Sequence, residues 1–77
     1  MITRDQITDM SRRILRQRGL RVLVADNETL RSIPASEIER VERFDPRRII
    51  GYYDENADRD RLREDAIYWC EILGVLK

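Results

Sequence analysis

A single cysteine and the absence of histidine restrict how this chain of 77 residues can be stabilised. Cys70 has no partner for an intrachain disulfide, and one thiol without histidine cannot form a structural zinc site. A chain of this length buries only about 60% of the surface that its unfolded form exposes, so its own core gives marginal stability. The sequence therefore predicts one small domain, residues 1–77, that is supported by self-association or by docking on another protein.

The N-terminal segment carries the clearest helix signals. Thr3 and Gln6 match a capping box, and Gly19 stands where a glycine commonly ends a helix. Between them, apolar residues recur at the spacing of one helix face: Ile7, Met10, Ile14 and Leu15. These signals predict a helix with an apolar stripe on one side and an arginine-rich surface on the other.

Three short segments have the composition of β-strands. Residues 20–25 and 29–33 are rich in aliphatic and β-branched residues, and the turn-forming residues 26–28 separate them. Pro34 ends the second segment because proline cannot donate to a strand ladder. Residues 47–53 are predicted to form a further strand.

Residues 35–44 fit two different structures. Ser36 and Glu39 match a second capping box, which favours a short helix. The alternative is one helical turn followed by a strand over residues 39–44, and we favour it slightly because short connections suit a small meander.

The last helix is predicted to run from about residue 57 to residue 73 and to end at Gly74. Its apolar residues cover an arc of about 220°, wider than the ~100° that one core face needs. Together these elements predict an α+β fold in two layers: a small antiparallel sheet of three to four strands, with an N-terminal and a C-terminal helix on one face. An all-helical fold is the alternative, because residues 36–44 also fit a helix.

The charged residues are balanced in number, with 15 basic and 15 acidic side chains, and every basic residue except Lys77 is arginine. Most of the arginines alternate with carboxylates, which is typical of a solvated, ion-paired surface. One group has few acidic neighbours: Arg12, Arg13, Arg16, Arg18 and Arg21. Because a guanidinium grips phosphate or carboxylate with two parallel bonds, we predict that this arginine cluster binds a partner.

Several classes of function lack the residues that they need. Without histidine, no Ser-His or Cys-His nucleophile can form, and Cys70 lies among apolar residues, where a thiol is inert. The three glycines stand alone, so no glycine-rich phosphate loop exists. An EF-hand-like spacing begins at Asp54, but Arg59 and Asp65 replace the glycine and glutamate that a calcium loop requires. We therefore predict no enzyme, no cofactor and no metal site.

Our leading hypothesis is a non-enzymatic protein-binding module: a small adaptor or inhibitor, of the kind that phage and accessory genes encode, that occludes a partner surface. A homodimer is a further option. Besides the arginine cluster, the predicted partner-binding residues are of types enriched in interfaces: Tyr52, Tyr68, Trp69 and Ile72. Simple core packing is the alternative role for Trp69.

The alternative function is nucleic-acid binding through the arginine face of the first helix. Asp5 and Asp9 on the same helix, and the balanced total charge, count against it. The N-terminus is charged at Arg4 and has no apolar run, so we predict no signal peptide, no membrane contact and a cytoplasmic location.

Overall fold

The computed structural model describes residues 1–40 and 46–77 of the protein. Its helices and strands follow the chain in this order: α1 (Arg4–Arg16), β1 (Arg21–Ala25), β2 (Leu30–Pro34), β3 (Ile49–Tyr53) and α2 (Arg59–Ile72). The described part of the β2–β3 connection contains the 3₁₀ helices Ala35–Arg40 and Pro46–Arg48. The predicted α+β fold, with a helix at each end of a small antiparallel sheet, is confirmed.

Within the described residues, the sheet has three strands in the order β2-β1-β3, and both pairings are antiparallel. The central strand β1 is buried on both faces from Val22 to Ala25. Its pairing with β3 is interrupted by a bulge, because Leu23 lies opposite Gly51 whereas Val24 lies opposite Ile49. The strands β2 and β3 are therefore the two edges of this sheet.

The main core lies between the sheet and the two helices. Helix α1 packs on β2, helix α2 packs on β3, and the two helices pack on each other. The buried members of this core come from all five elements and from both chain termini: Ile2, Ile7, Ile14, Leu23, Ala25, Leu30, Ile50, Leu62, Ala66, Cys70 and Val75. The prediction that both helices share one sheet face is thus confirmed.

A smaller apolar cluster lies on the opposite face of the sheet. It contains Val22, Val24 and Ile33, and Ile38 of the 3₁₀ helix Ala35–Arg40 packs against it. Ala35 of the same 3₁₀ helix and Ile49 of β3 also pack against this cluster. The predicted strand from residue 39 is wrong at residues 39 and 40, which are in this helix, and its remainder lies outside the described residues.

Helix α1 begins as the sequence predicts. The Oγ1 atom of Thr3 accepts from the backbone N of Gln6 at 3.2 Å, and the backbone N of Thr3 donates to Oε1 of Gln6 at 2.7 Å. This reciprocal pair is a capping box. The helix ends at Arg16, and Gly19 adopts a left-handed conformation (φ 89°) in the connection to β1.

Helix α2 is capped at both ends by residues outside it. Asp58 is the N-cap, and its side chain accepts from the backbone N of Asp60 at 2.8 Å. The helix therefore starts at residue 59 and not near residue 57, because the carboxylate competes for the first free amides. At the C-terminus, Gly74 (φ 70°) donates to Glu71 O and Val75 N donates to Cys70 O. These two bonds form a Schellman motif.

The two chain termini pair with each other. The backbone N of Ile2 donates to Val75 O at 3.0 Å, and the backbone N of Lys77 donates to Ile2 O at 2.7 Å. The bridge between Ile2 and Leu76 is parallel, and the Ile2 side chain is fully buried in the main core. The second residue of the chain is therefore a structural residue.

Strand β3 is shorter than the predicted strand 47–53. Arg47 and Arg48 belong to the 3₁₀ helix Pro46–Arg48, so the extended segment starts at Ile49. Both arginines therefore lie directly before the first residue of β3.

Candidate protein-interaction surface

Helix α2 has three sides that differ in what they contact. Its inner side, with Leu62, Ala66 and Cys70, is buried in the main core. The side toward α1 makes polar contacts: Arg63 Nε donates to Thr8 Oγ1 at 2.9 Å, and Glu71 forms an ion pair with α1. The third side faces away from α1 and carries no such contact.

Three large apolar side chains occupy the third side of α2 and the solvent-facing surface next to it. At about 100° per residue, Trp69 and Ile72 project opposite to the α1 side, and Tyr68 lies between them and the outermost surface of the helix. Tyr68, Trp69 and Ile72 are 58%, 41% and 55% exposed. We call these three residues the α2 patch.

The two aromatic rings of the α2 patch contact each other. The ring centroids of Tyr68 and Trp69 are 5.5 Å apart and the ring planes are inclined by 77°, an edge-to-face arrangement. Core packing was the alternative role for Trp69, and the structure instead places it at the surface. The patch is thus a pair of contacting rings beside an exposed isoleucine.

Strand β3 lies next to the same side of α2. The pKa of Tyr53 is raised to about 12, mainly by burial and to a smaller extent by the nearby Asp65 carboxylate of α2, while Arg61 acts in the opposite direction. The Tyr53 ring lies over Gly51, where an added Cβ would approach the tyrosine hydroxyl to 2.8 Å. The side of α2 that faces away from α1 is therefore on the β3 side of the domain.

Tyr52 projects from the other face of β3. It lies opposite Val22 in the β1–β3 pairing and is 57% exposed. Tyr52 is also among the residues that line a cleft of about 430 Å³ between β3 and the start of α2, together with Tyr53, Arg61 and Asp65. Leu20, which is also exposed, lines the same cleft. Tyr52 is therefore on the same end of the domain as the start of α2, but not within the α2 patch.

The carboxylates around this cleft serve the local backbone. Asp54 Oδ1 accepts from Asn56 N at 2.9 Å, and Asp58 Oδ1 is occupied by the N-cap bonds of α2. Helix α2 already begins at Arg59, the sixth position of the EF-hand-like spacing, so the segment does not form a calcium loop. Among residues 1–40 and 46–77, no group of three or more side chains is arranged to hold a metal ion.

Cys70 is fully buried in the main core. Burial raises the pKa of its thiol to about 11, so the reactive thiolate is scarce at neutral pH. The sequence-based expectation of a buried thiol is confirmed.

The arginine cluster divides into two parts. Arg12, Arg13, Arg16 and Arg18 are all exposed, and none of them forms an ion pair or a side-chain hydrogen bond within the described residues. Arg21 is different, because its Nε donates to Ser32 Oγ at 2.8 Å and its Nη2 donates to Ser32 O at 2.9 Å. Arg21 therefore braces β1 against β2, away from the four arginines at the end of α1.

The residues of the α2 patch could be selected from the sequence, but the position of β3 as an edge strand beside them could not. The composition of residues 49–53 predicts a strand, whereas its position at the edge of the sheet depends on the strand order.

The fold and the surface define a class: a small α+β protein with an exposed apolar patch on its C-terminal helix. Comparisons with protein-family models, with curated proteins and with solved structures find no match for this chain. In the part of the chain that the structure describes, no helix has the length and apolarity needed to cross a membrane.

Proposed function

We propose that this chain is a non-enzymatic protein-binding module whose docking surface is the α2 patch. The observation that carries the proposal is the adjacency of Tyr68, Trp69 and Ile72 on one helix, each more than 40% exposed. Covering apolar surface contributes about 25 cal/mol per Å², and aromatic anchors dominate the energy of many interfaces. A helix side that faces away from α1 and leaves large apolar side chains exposed is a suitable place for such anchors.

The remaining features of the molecule fit an adaptor or an inhibitor that acts by covering a partner surface. The cleft beside Tyr53 is open, and Asp54 and Asp58 on its wall are bonded to backbone amides. Cys70 is buried, with its thiol held in the protonated form. These features support a module that acts through its surface.

A photo-cross-linking amino acid tests this proposal directly. We expect the probe at position 72 to cross-link a protein, either in purified protein or in a cell extract, and the same probe at position 64 to do so much less. Glu64 is a matched control because it is an exposed residue of the same helix outside the patch. We also expect Trp69→Ala to abolish the cross-link at position 72, and Glu64→Ala to leave it unchanged. If position 72 cross-links no protein in either setting, the proposal is wrong.

Nucleic-acid binding is the second candidate, and the exposed arginines support it. Arg12, Arg13, Arg16 and Arg18 present guanidinium groups without acidic partners in the described residues. If they bind phosphates, the affinity falls steeply with salt, and each lost phosphate contact reduces the slope of log K against log salt by about 0.9. The variant Arg12→Glu/Arg16→Glu would then lose binding. If wild-type protein shows no salt-dependent binding to duplex or single-stranded DNA or RNA, this candidate is excluded.

A further inference from the structure

The outer edge of β3 lacks the residues that normally prevent strand pairing. Edge strands of stable monomers commonly carry charged residues or proline, which disfavour the addition of another strand. The other edge strand, β2, has both, in Arg31 and Pro34. Strand β3 has the sequence Ile-Ile-Gly-Tyr-Tyr, without charge or proline. Within the described residues, no strand covers its outer edge.

The residues that flank β3 carry opposite charges at its two ends. Arg47 and Arg48 precede the strand, and Asp54 and Glu55 follow it. In an antiparallel pair of two such strands, the arginines of one copy lie beside the carboxylates of the other, at both ends. A parallel pair would place like charges together. The flanking charges therefore favour one partner, a second copy of this chain, and one direction of pairing.

We propose that two copies of this protein pair antiparallel through their β3 edges about a twofold axis near Gly51. This arrangement places Arg48 opposite Asp54, and Arg47 opposite Glu55. The bulge falls at Ile50, so in this register Gly51–Tyr53 of one copy faces the bulged segment Ile49–Gly51 of the other, and the charged flanks set the register. The two three-stranded sheets then form one six-stranded sheet, with the same surface used by both copies.

The α2 patch supports the same partner. Helix α2 packs on β3, and Trp69 and Ile72 project from its side that faces away from α1, toward the β3 edge. A twofold axis perpendicular to the sheet at that edge brings the two copies of α2 next to each other on one face of the joined sheet. The proposal thus rests on the proposed docking function and identifies its occupant: the apolar patch of one copy covers that of the other.

Charge reversal at the two flanks gives the decisive test, because the arrangement predicts both loss and rescue. Variant one is Arg47→Glu/Arg48→Glu, and variant two is Asp54→Arg/Glu55→Arg. We expect sedimentation equilibrium to show dimers of the wild type, and at least about tenfold weaker association, about 1.4 kcal/mol, for each variant alone. A mixture of the two variants should associate as well as the wild type, because acidic flanks then face basic ones. A chain with all four changes should recover its homodimer.

The matched control for variant one is Arg31→Glu/Arg40→Glu, which changes the net charge by the same amount as variant one. Its two positions are exposed, in β2 and in the 3₁₀ helix Ala35–Arg40. It should leave association unchanged. Circular dichroism checks that each variant is folded.

Hydrogen exchange on the wild type supplies a test without substitutions. Amides of residues 49–53 should gain protection as the protein concentration rises, whereas amides of residues 30–34 should not. The proposal is overturned if the wild type stays monomeric over a hundredfold concentration range. It is also overturned if the charge-reversal variants dimerise as well as the wild type, or if mixing the two variants does not restore association. If the purified protein is monomeric but position 72 cross-links another protein in extract, the docking function stands and the second copy is excluded.

Discussion

Truncating Ile2 to alanine should destabilise this protein strongly, although the residue is next to the chain terminus. Terminal residues usually tolerate change because few contacts hold them. Here the Ile2 side chain is fully buried, and its backbone bonds to Val75 O at 3.0 Å and accepts from Lys77 N at 2.7 Å. The substitution keeps these backbone bonds and removes three buried carbon atoms, so its effect reports on side-chain packing.

The magnitude follows from burial. Each buried methylene contributes about 0.8 kcal/mol, and the cavity left behind adds to the loss, so we expect Ile2→Ala to lower the free energy of unfolding by about 3 kcal/mol. A chain of this length is expected to have a total stability of about 4–12 kcal/mol. The loss is therefore a quarter of the total or more.

Urea unfolding followed by far-UV circular dichroism measures this loss. With a slope of about 1 kcal/mol per molar urea, the midpoint should fall by about 3 M. Ile72→Ala makes the same chemical change at an exposed position and, at a concentration that keeps the chain monomeric, should change stability by less than about 0.5 kcal/mol. A loss below about 1 kcal/mol for Ile2→Ala would refute the packing of the N-terminus against the C-terminal segment.

Three further predictions concern titration, helix contact and backbone conformation. The pKa of Tyr53 is raised from 10.0 to about 12, so the protonated phenol stabilises the fold fully below pH 10 and progressively less up to pH 12. In urea titrations between these pH values, the free energy of unfolding should therefore decline less with pH for Tyr53→Phe than for the wild type. A double-mutant cycle with Thr8→Val and Arg63→Met should give a coupling energy of about 0.5–1.5 kcal/mol, and an additive result would show that the 2.9 Å bond is absent in solution. Gly74→Ala should cost about 1–2 kcal/mol in thermal or urea unfolding because its φ is 70°, and a neutral effect would contradict the left-handed C-terminal cap.

The proposed dimer has a consequence for the arginines at the end of α1. Helix α1 packs on β2, and β2 is the edge of the sheet opposite to β3. In the dimer, Arg12 and Arg16 of the two copies therefore lie away from the twofold axis and remain exposed. If both candidate surfaces act, self-association and a second partner are compatible, and the charge variants of each surface separate them.

The local elements were predictable because their signals lie within a few neighbouring residues. The capping box at Thr3 and the glycine stop at Gly74 each need contacts over fewer than six residues, and both are present. The short segment from residue 35 was not predictable in the same way. Its periodicity fits helix and strand, and the contact of Ile38 with the outer face of the sheet is made in a 3₁₀ conformation.

The candidate surface shows the same division. The last helix carries more apolar residues than one core face can bury, and this could be predicted from residue spacing alone because the wheel arc depends on nothing else. Which of these residues remain exposed depends on how the other elements pack against the helix. The placement of α1 against Arg63 and Glu71 leaves Trp69 and Ile72 on the free side, and the strand order makes β3 an edge beside them. Both the exposure of these residues and the edge position of β3 depend on contacts between distant parts of the chain. The residue pattern of a single segment carries no information about such contacts.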